Sequence, residues 1–273
     1  MKKRIYLTVL ILVSITICIT SCKKAEVDTE TQTAVDNSIA DNMYSQVFPS
    51  THRIVIADNG VKPGSVNRIA GTDTLTSCAV ISDVSTFGTF PFTFTIDYGA
   101  GCTDPHDARF RKGKLKISLD NYWNQVGSSL TITFDEFYDS NIKLKGKIVV
   151  KHDALGQYTV SVVDGICETE KWNIKYASSH TFKWLQGFDT EADVTDDIVE
   201  VSGNSNGVNR KDLAFTSKIT SPLIKAMNCK WVQKGKIELT PEGKSARTLD
   251  FGDGKCDNKA KITVNGNTYD FEM

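Results

Sequence analysis

From about residue 75 to its end, the chain is built of short runs that alternate apolar and polar residues, and this constrains the fold more than any other feature. The runs include "FTFTIDY" (92–98), "KLKISLD" (114–120), "SLTITFDEF" (129–137), "IKLKGKIVVK" (142–151) and "YTVSVVDG" (158–165). They continue with "EKWNIKY" (170–176), "HTFKWLQG" (180–187), "DIVEVSG" (197–203), "AFTSKI" (214–219), "GKIELT" (235–240), "ARTLDF" (246–251), "AKITVNG" (260–266) and "NTYDFEM" (267–273). Period two places alternate side chains on opposite faces of a strand, and Gly, Asn and Asp punctuate the runs about every 8–12 residues. No intervening segment is long and periodic enough for the crossover helix that a parallel sheet needs. The expectation is an all-β fold, a large antiparallel meander of a dozen or more strands. Open twisted sheets rarely exceed ~10 strands, so this one must curl, split into a sandwich or close into a barrel. Asn265-Gly266 supplies one hairpin turn directly.

The N-terminal part reads differently. "AVDNSIADNMYSQVFPSTHRIVIAD" (34–58) spaces Val35, Ile39, Met43 and Val47 four apart, which predicts one helix that Pro49 kinks or ends. Its polar side is acidic and amide-rich rather than basic, which favours packing on the domain over lying on a membrane. Before it, "KKAEVDTETQT" (23–33) has almost nothing to bury and reads as a tether.

The first residues carry a targeting signal. Lys2, Lys3 and Arg4 precede an uncharged apolar run from Ile5 to about Thr20, too short for a comfortable span of roughly 20 apolar residues. The run ends in Ile19-Thr20-Ser21-Cys22, which resembles the bacterial lipobox. That resemblance implies cleavage before Cys22, lipidation of its sulfur and a stable anchor of two or more acyl chains. The competing reading is a plain secretory peptide with an incidental cysteine. Lys23 and Lys24 after the cysteine, instead of Asp, resemble the default for delivery to the bacterial outer membrane, with either face open. The division expected is therefore 1–21 signal peptide, 22–33 tether, 34–58 helix and 59–273 β domain. The whole chain has 32 Lys+Arg against 33 Asp+Glu, a balance that offers no field for nucleic acid.

Export makes the cysteines informative, because thiols in an oxidising compartment usually pair. Beyond Cys18 and Cys22 there are five: Cys78, Cys102, Cys167, Cys229 and Cys256. Two of them end a phrase the chain writes twice, "IDYGAGCTD" (96–104) and "LDFGDGKCDN" (249–258). Each has a cysteine upstream across an interval holding two strands and a turn, and an out-and-back path returns its ends to one place. The spacing predicts Cys78–Cys102 and Cys229–Cys256, with Cys167 left over and buried. Gly99, Gly101, Gly252 and Gly254 suit positive φ in a redirecting turn, across which Asp97 and Asp250 are placed to accept backbone N–H bonds. A Ca²⁺ site at Asp250, Asp253 and Asp257 is the weaker alternative, since EF-hand order and its closing Glu are missing.

A family resemblance enters here. "IDYGAGCTDPHDARFRKGKLKISLDNYWNQVGSSLTITFDEFY" (96–138) resembles a run common in predicted lipoproteins of Bacteroidetes bacteria. "VSGNSNGVNRKDLAFTSKITSPL" and "LDFGDGKCDNKAKITVNG" resemble later parts of that pattern, which covers roughly residues 35–273. Lys255 departs from it by adding a residue before Cys256. The resemblance implies an outer-membrane lipoprotein with this fold and carries no activity. In these bacteria "DTL" (73–75) also resembles an O-glycosylation signal, with Thr74 as acceptor.

No catalytic motif accompanies the fold. The four histidines are scattered, no Cys/His spacing suits zinc and no GxSxG elbow occurs. Carboxylate neighbours such as Asp135-Glu136 would point to opposite strand faces. Two surfaces deserve a place. Trp172 and Tyr176 share a face and, given a turn at Ala177–Ser179, Phe182, Trp184 and Phe188 would join it. That face reads as core; exposed, it would be a ligand platform for sugar rings or an apolar ligand. Lys112, Lys114 and Lys116 on one strand, and Lys143, Lys145 and Lys147 two strands on, form either a solvated face or a stripe for anionic lipid or acidic glycan. The expected function is a non-enzymatic envelope lipoprotein, bound to the membrane through Cys22 and engaging a glycan or envelope protein, with no cofactor or metal. The alternatives are a carbohydrate-active envelope enzyme and a carrier of an apolar ligand.

Overall fold

The computed structural model describes residues 28–57, 78–104, 107–190 and 196–273. The signal peptide, Cys22, Thr74 and His106 lie outside the described residues. One helix, α1 (Gln32–Ala57), precedes fourteen strands. They are β1 (Val80–Ser82), β2 (Phe92–Asp97), β3 (Cys102–Thr103), β4 (Phe110–Leu119), β5 (Ser129–Asp139), β6 (Ile142–Ala154) and β7 (Gln157–Glu168). Then come β8 (Asn173–Gln186), β9 (Ile198–Val208), β10 (Ala214–Ala226), β11 (Lys234–Pro241), β12 (Arg247–Asp253), β13 (Lys259–Val264) and β14 (Asn267–Glu272). All belong to one antiparallel sheet in sequence order, with β3 an extra pairing beside β4. The expected meander is present, as an open curled sheet rather than a sandwich or a closed barrel.

Alternation decides what faces inward. In β4, Leu115, Ile117 and Leu119 are buried while Lys114 and Lys116 between them are exposed. The two runs at 170–176 and 180–187, expected as strands either side of a turn at Ala177–Ser179, are one continuous strand, β8. No turn is needed, because Ile174, Tyr176, His180 and Phe182 already share one parity and are all buried.

The sheet curls around α1, and the helix's own contacts show it. Met43 meets Arg109 beside β4, and Glu30, just before the helix, meets Arg247 on β12. Laid flat, those strands would lie about 38 Å apart at ~4.8 Å per strand, against a helix ~10–12 Å wide. Bending is concentrated where ladders slip: Lys112/Lys114, Thr133/Tyr138, Lys145/Lys147 and Val162/Gly165 mark β-bulges in four successive strand pairs. At the first, Gly113 has φ of 84°, and a Cβ there would overlap the Glu136 carbonyl. The same bulge turns Asp135 and Glu136 to the same outer face, where they pair with Lys116 and Lys143 at 2.8 and 2.6 Å. The expectation that these neighbours face opposite ways fails because the inserted residue breaks the period.

No described residue of α1 is fully exposed. Pro49 does not end it; the helix runs to Ala57, and the Ser50 hydroxyl donates to the Val47 carbonyl beside the proline. Met43 and Val47 of the expected stripe are buried, but Val35 and Ile39 are only half-buried. The segment read as tether is held from Asp28 onward, by Arg247 and by the Ser245 amide.

Both expected disulfides are present, with Cα atoms 5.6 Å apart for Cys78–Cys102 and 5.9 Å for Cys229–Cys256. Cys167 is a buried free thiol. The repeated phrase is one local device used twice. Asp97 accepts the Gly99 amide at 2.7 Å and Asp250 the Gly252 amide at 3.0 Å. Each aspartate also pairs at 3.0 Å with a lysine of the neighbouring strand, Lys114 and Lys236. All four glycines have positive φ.

Candidate functional site

The curled sheet has two ends. The lower end holds the turns β5–β6, β7–β8, β9–β10 and β11–β12 and receives the start of α1. The upper end holds the loops β1–β2, β4–β5, β6–β7, β8–β9 and β10–β11 and receives the helix C-terminus. Between them, the acidic, amide-rich side of α1 is buried against the inner sheet. Asp36 takes two bonds from the Arg210 side chain at 2.7 and 2.6 Å and the Arg210 amide at 2.8 Å. Ser205 donates to Asn37 at 3.0 Å, and Asn209 donates to Thr33 at 2.8 Å. The Tyr176 hydroxyl donates to Asp41 at 2.8 Å, with His180 3.4 Å from the same oxygen. Burial raises the Tyr176 pKa well above its ordinary value, and the Asp41 charge raises it further.

A second cluster sits where the first disulfide-bonded turn re-enters the sheet. Arg111, with no exposure, meets Asp104 at 2.9 Å, Asp107 at 2.5 Å and Asp139 at 3.2 Å. Arg109 reaches the other oxygen of Asp139 at 3.0 Å. Burial pushes the Asp107 carboxyl up, but the Arg111 guanidinium outweighs it and holds the group below its usual value. Removing such charges from water is costly, and only near-complete pairing offsets it. Lys225 is the exception in this neighbourhood. Its ammonium is buried and has no hydrogen-bond partner, and burial together with Arg109 lowers its pKa to about 7 despite Asp41, Asp107 and Asp139.

The upper half of the interior is aromatic. Phe48 touches Tyr158, Phe182 and Trp184, with ring centroids 5.4, 5.8 and 6.2 Å away. The Trp123 indole N–H donates to His52 Nδ1 at 3.0 Å, and His152 Nδ1 donates to the Trp123 carbonyl at 3.1 Å. Burial, with His152 nearby, lowers the His52 pKa to about 3.

The residues singled out in the sequence fall as follows. Tyr176 and Phe182 are core at 2 and 1 % exposure, so they form no exposed platform. Trp172 and Trp184 are half-buried against that core, and the Arg210 guanidinium stacks 4.3 Å over Trp172. The six lysines share the outer face, and four of them are paired with carboxylates. Besides Lys116 and Lys143 above, Lys114 meets Asp97 at 3.0 Å and Lys145 meets Glu168 at 2.7 Å. Lys112 lies 4.2 Å over the Tyr138 ring, and Lys147 is exposed. Asp250 is engaged by Lys236, Asp253 lies 3.5 Å from Lys255 and Asp257 accepts the Lys259 amide at 3.0 Å. Among the described residues no group of three His, Cys, Asp or Glu is arranged to hold a metal.

Sequence reasoning missed the buried charge clusters. Their signal was an Arg-x-Arg at a strand start with two aspartates just before it, and an unpaired arginine at the head of "ARTLDF". No protein-family model matches the chain, nor does any curated protein or solved structure.

Proposed function

We propose that the chain is a lipid-anchored protein of the bacterial outer membrane, held by acyl chains on Cys22, with a binding or structural role and no catalytic one. One observation carries the second half of this reading: α1 fills the concave face of the sheet with side chains and interlocking polar pairs. A glycoside hydrolase needs two carboxylates converging across an open cleft. Here the carboxylates that converge do so on buried arginines. A carrier of an apolar ligand needs interior room, and Phe48, Tyr44 and Val47 occupy the centre of the curl. The surface left to meet a glycan or envelope protein is the outside of the molecule. Metabolic labelling with radioactive palmitate tests the anchor: label should appear in the wild-type mature chain in the outer-membrane fraction and vanish in Cys22→Ala. An unlabelled wild-type chain would overturn it.

A further inference from the structure

Apolar side chains left in water are not spread evenly over this molecule. Of the seven exposed large hydrophobic residues among those described, five stand at the upper end: Phe90, Tyr122, Val126, Leu155 and Leu185. Phe90 belongs to the β1–β2 loop, Tyr122 and Val126 to the β4–β5 loop, Leu155 to the β6–β7 turn and Leu185 to the end of β8. These are neighbouring connections. Phe87 and Phe90 lie 5.8 and 5.1 Å from Tyr122, the Gly127 amide bonds the His152 carbonyl, and the Trp184 amide bonds the Gly156 carbonyl. They form a continuous rim, and Leu155 at 79 % and Val126 at 62 % exposure protrude from it. Contiguous exposed apolar surface bordered by polar residues marks an interaction site.

The charge around the rim selects the partner. The described residues of the loops 83–91, 120–128, 155–156, 187–190 and 196–197 include no Lys or Arg and carry Asp83, Asp120, Asp189 and Asp196, while the β10–β11 loop at the same end adds one exposed lysine, Lys230. Lys151 and Lys183 sit on the strands below. An acidic margin is repelled by the anionic lipids that draw basic segments to membranes. The lower-end turns hold both signs, Lys171, Arg210, Lys211 and Lys244 beside Glu170, Asp212 and Glu242. The chain also enters there, since Asp28 is fixed beside the β11–β12 turn by Ser245 and Arg247. Six residues from Cys22 to Asp28 reach at most about 21 Å, whereas a strand as long as β8 extends about 46 Å. The rim therefore stands at the end away from the anchored bilayer.

We infer that the upper rim is a docking surface for another envelope protein, one that presents an apolar patch bordered by lysine or arginine. This rests on the anchored, binding reading above. The test is photocross-linking in native cells of the full chain, with a benzophenone amino acid placed singly at Leu155, Val126, Lys147 or Lys244. The rim positions should give one discrete protein adduct, mapped on the partner to apolar residues next to Lys or Arg. That adduct should fall at least tenfold in Tyr122→Asp, with both disulfides still formed on non-reducing gels. An adduct at Leu155 made only with phospholipid, with a second copy of this chain, or with an acidic or purely polar surface would overturn the inference. So would protein adducts at Lys147 or Lys244 alone, which leave the binding reading standing. No adduct at any position would overturn both.

Discussion

The two ends of the curled sheet hold the same helix by different physics. At the lower end α1 and the segment before it are fixed by buried charge, with Asp28, Glu30 and Asp36 on Arg247 and Arg210. Toward the upper end it is fixed by rings, His52 and Phe48 among Trp123, Tyr158, Phe182 and Trp184. Ion pairs with bidentate or multiple contacts specify one position along the helix axis, because a displaced Asp36 or Arg247, both without exposure, would be left unpaired in a dry interior. Rings fill volume and tolerate small shifts, but they surround a histidine that burial keeps neutral. The difference teaches that one end sets register, and the other sets sensitivity to acid.

The largest effect should come from breaking the best-paired charge. Arg111→Met leaves Asp104, Asp107 and Asp139 buried without their shared guanidinium, a loss of about 3–5 kcal/mol in urea unfolding. Arg247→Met should cost visibly less, since Asp28 and Glu30 lie near the solvent and can rehydrate. Equal losses would mean that burial of the acids does not govern the cost. Removing one disulfide at a time comes next. Cys78–Cys102 serves the lower end and Cys229–Cys256 the upper, with sequence separations of 24 and 27. Loop entropy then predicts nearly the same loss, about 3–4 kcal/mol, for either double Cys→Ser variant. A clear inequality in unfolding midpoints would assign the effect to local packing rather than to the unfolded chain.

How much of this was legible beforehand follows from range. Strand parity is a local property, so "KLKISLD" and the first six residues of "SLTITFDEF" announced their inward residues correctly, and only the bulge at Asp135-Glu136 broke the pattern. The cystine pairs were legible because each closes an out-and-back path within one stretch of chain. The joining of 170–176 to 180–187 was not, because Ala177, Ser178 and Ser179 resemble a turn and only their neighbours β7 and β9 hold them extended. Nor was the fate of Asp36, Asn37 and Asp41. A polar helix face normally means water, and their partners Arg210, Ser205 and Tyr176 lie at least 135 positions away.

Lys225 sharpens the comparison by being the charge that is not paired. Its folded pKa, about 7, lies below the ordinary lysine value of 10.5. The folded state therefore resists a proton that the unfolded chain accepts. The resulting penalty is fully present below pH 7 and disappears as pH rises toward 10.5. Lys225→Met should raise stability by about 2–4 kcal/mol at pH 7, and the gain should shrink steadily above it. A gain that does not change with pH would show that packing, not protonation, is responsible.

His52 tests the ring-lined end in the opposite pH range. Its pKa falls from the ordinary 6.5 to about 3 in the fold, from burial first and His152 second. Above pH 6.5 both states are neutral and nothing is lost. Between 6.5 and 3 the unfolded chain binds a proton that the native ring refuses, so stability declines through that window, by about 2 kcal/mol at pH 5. His52→Gln keeps an acceptor for the Trp123 indole while removing the titration. The difference between wild type and variant should therefore bend near pH 6.5 and grow as pH falls, on top of the carboxylate losses both share. Carboxylates cannot imitate that onset, because those held by arginine begin to lose their stabilisation only as pH approaches the ordinary carboxylate value of 3.8, well below 6.5. A difference curve flat from pH 8 to 4 would mean that water reaches the ring, and that the upper end is not the closed aromatic box its contacts describe.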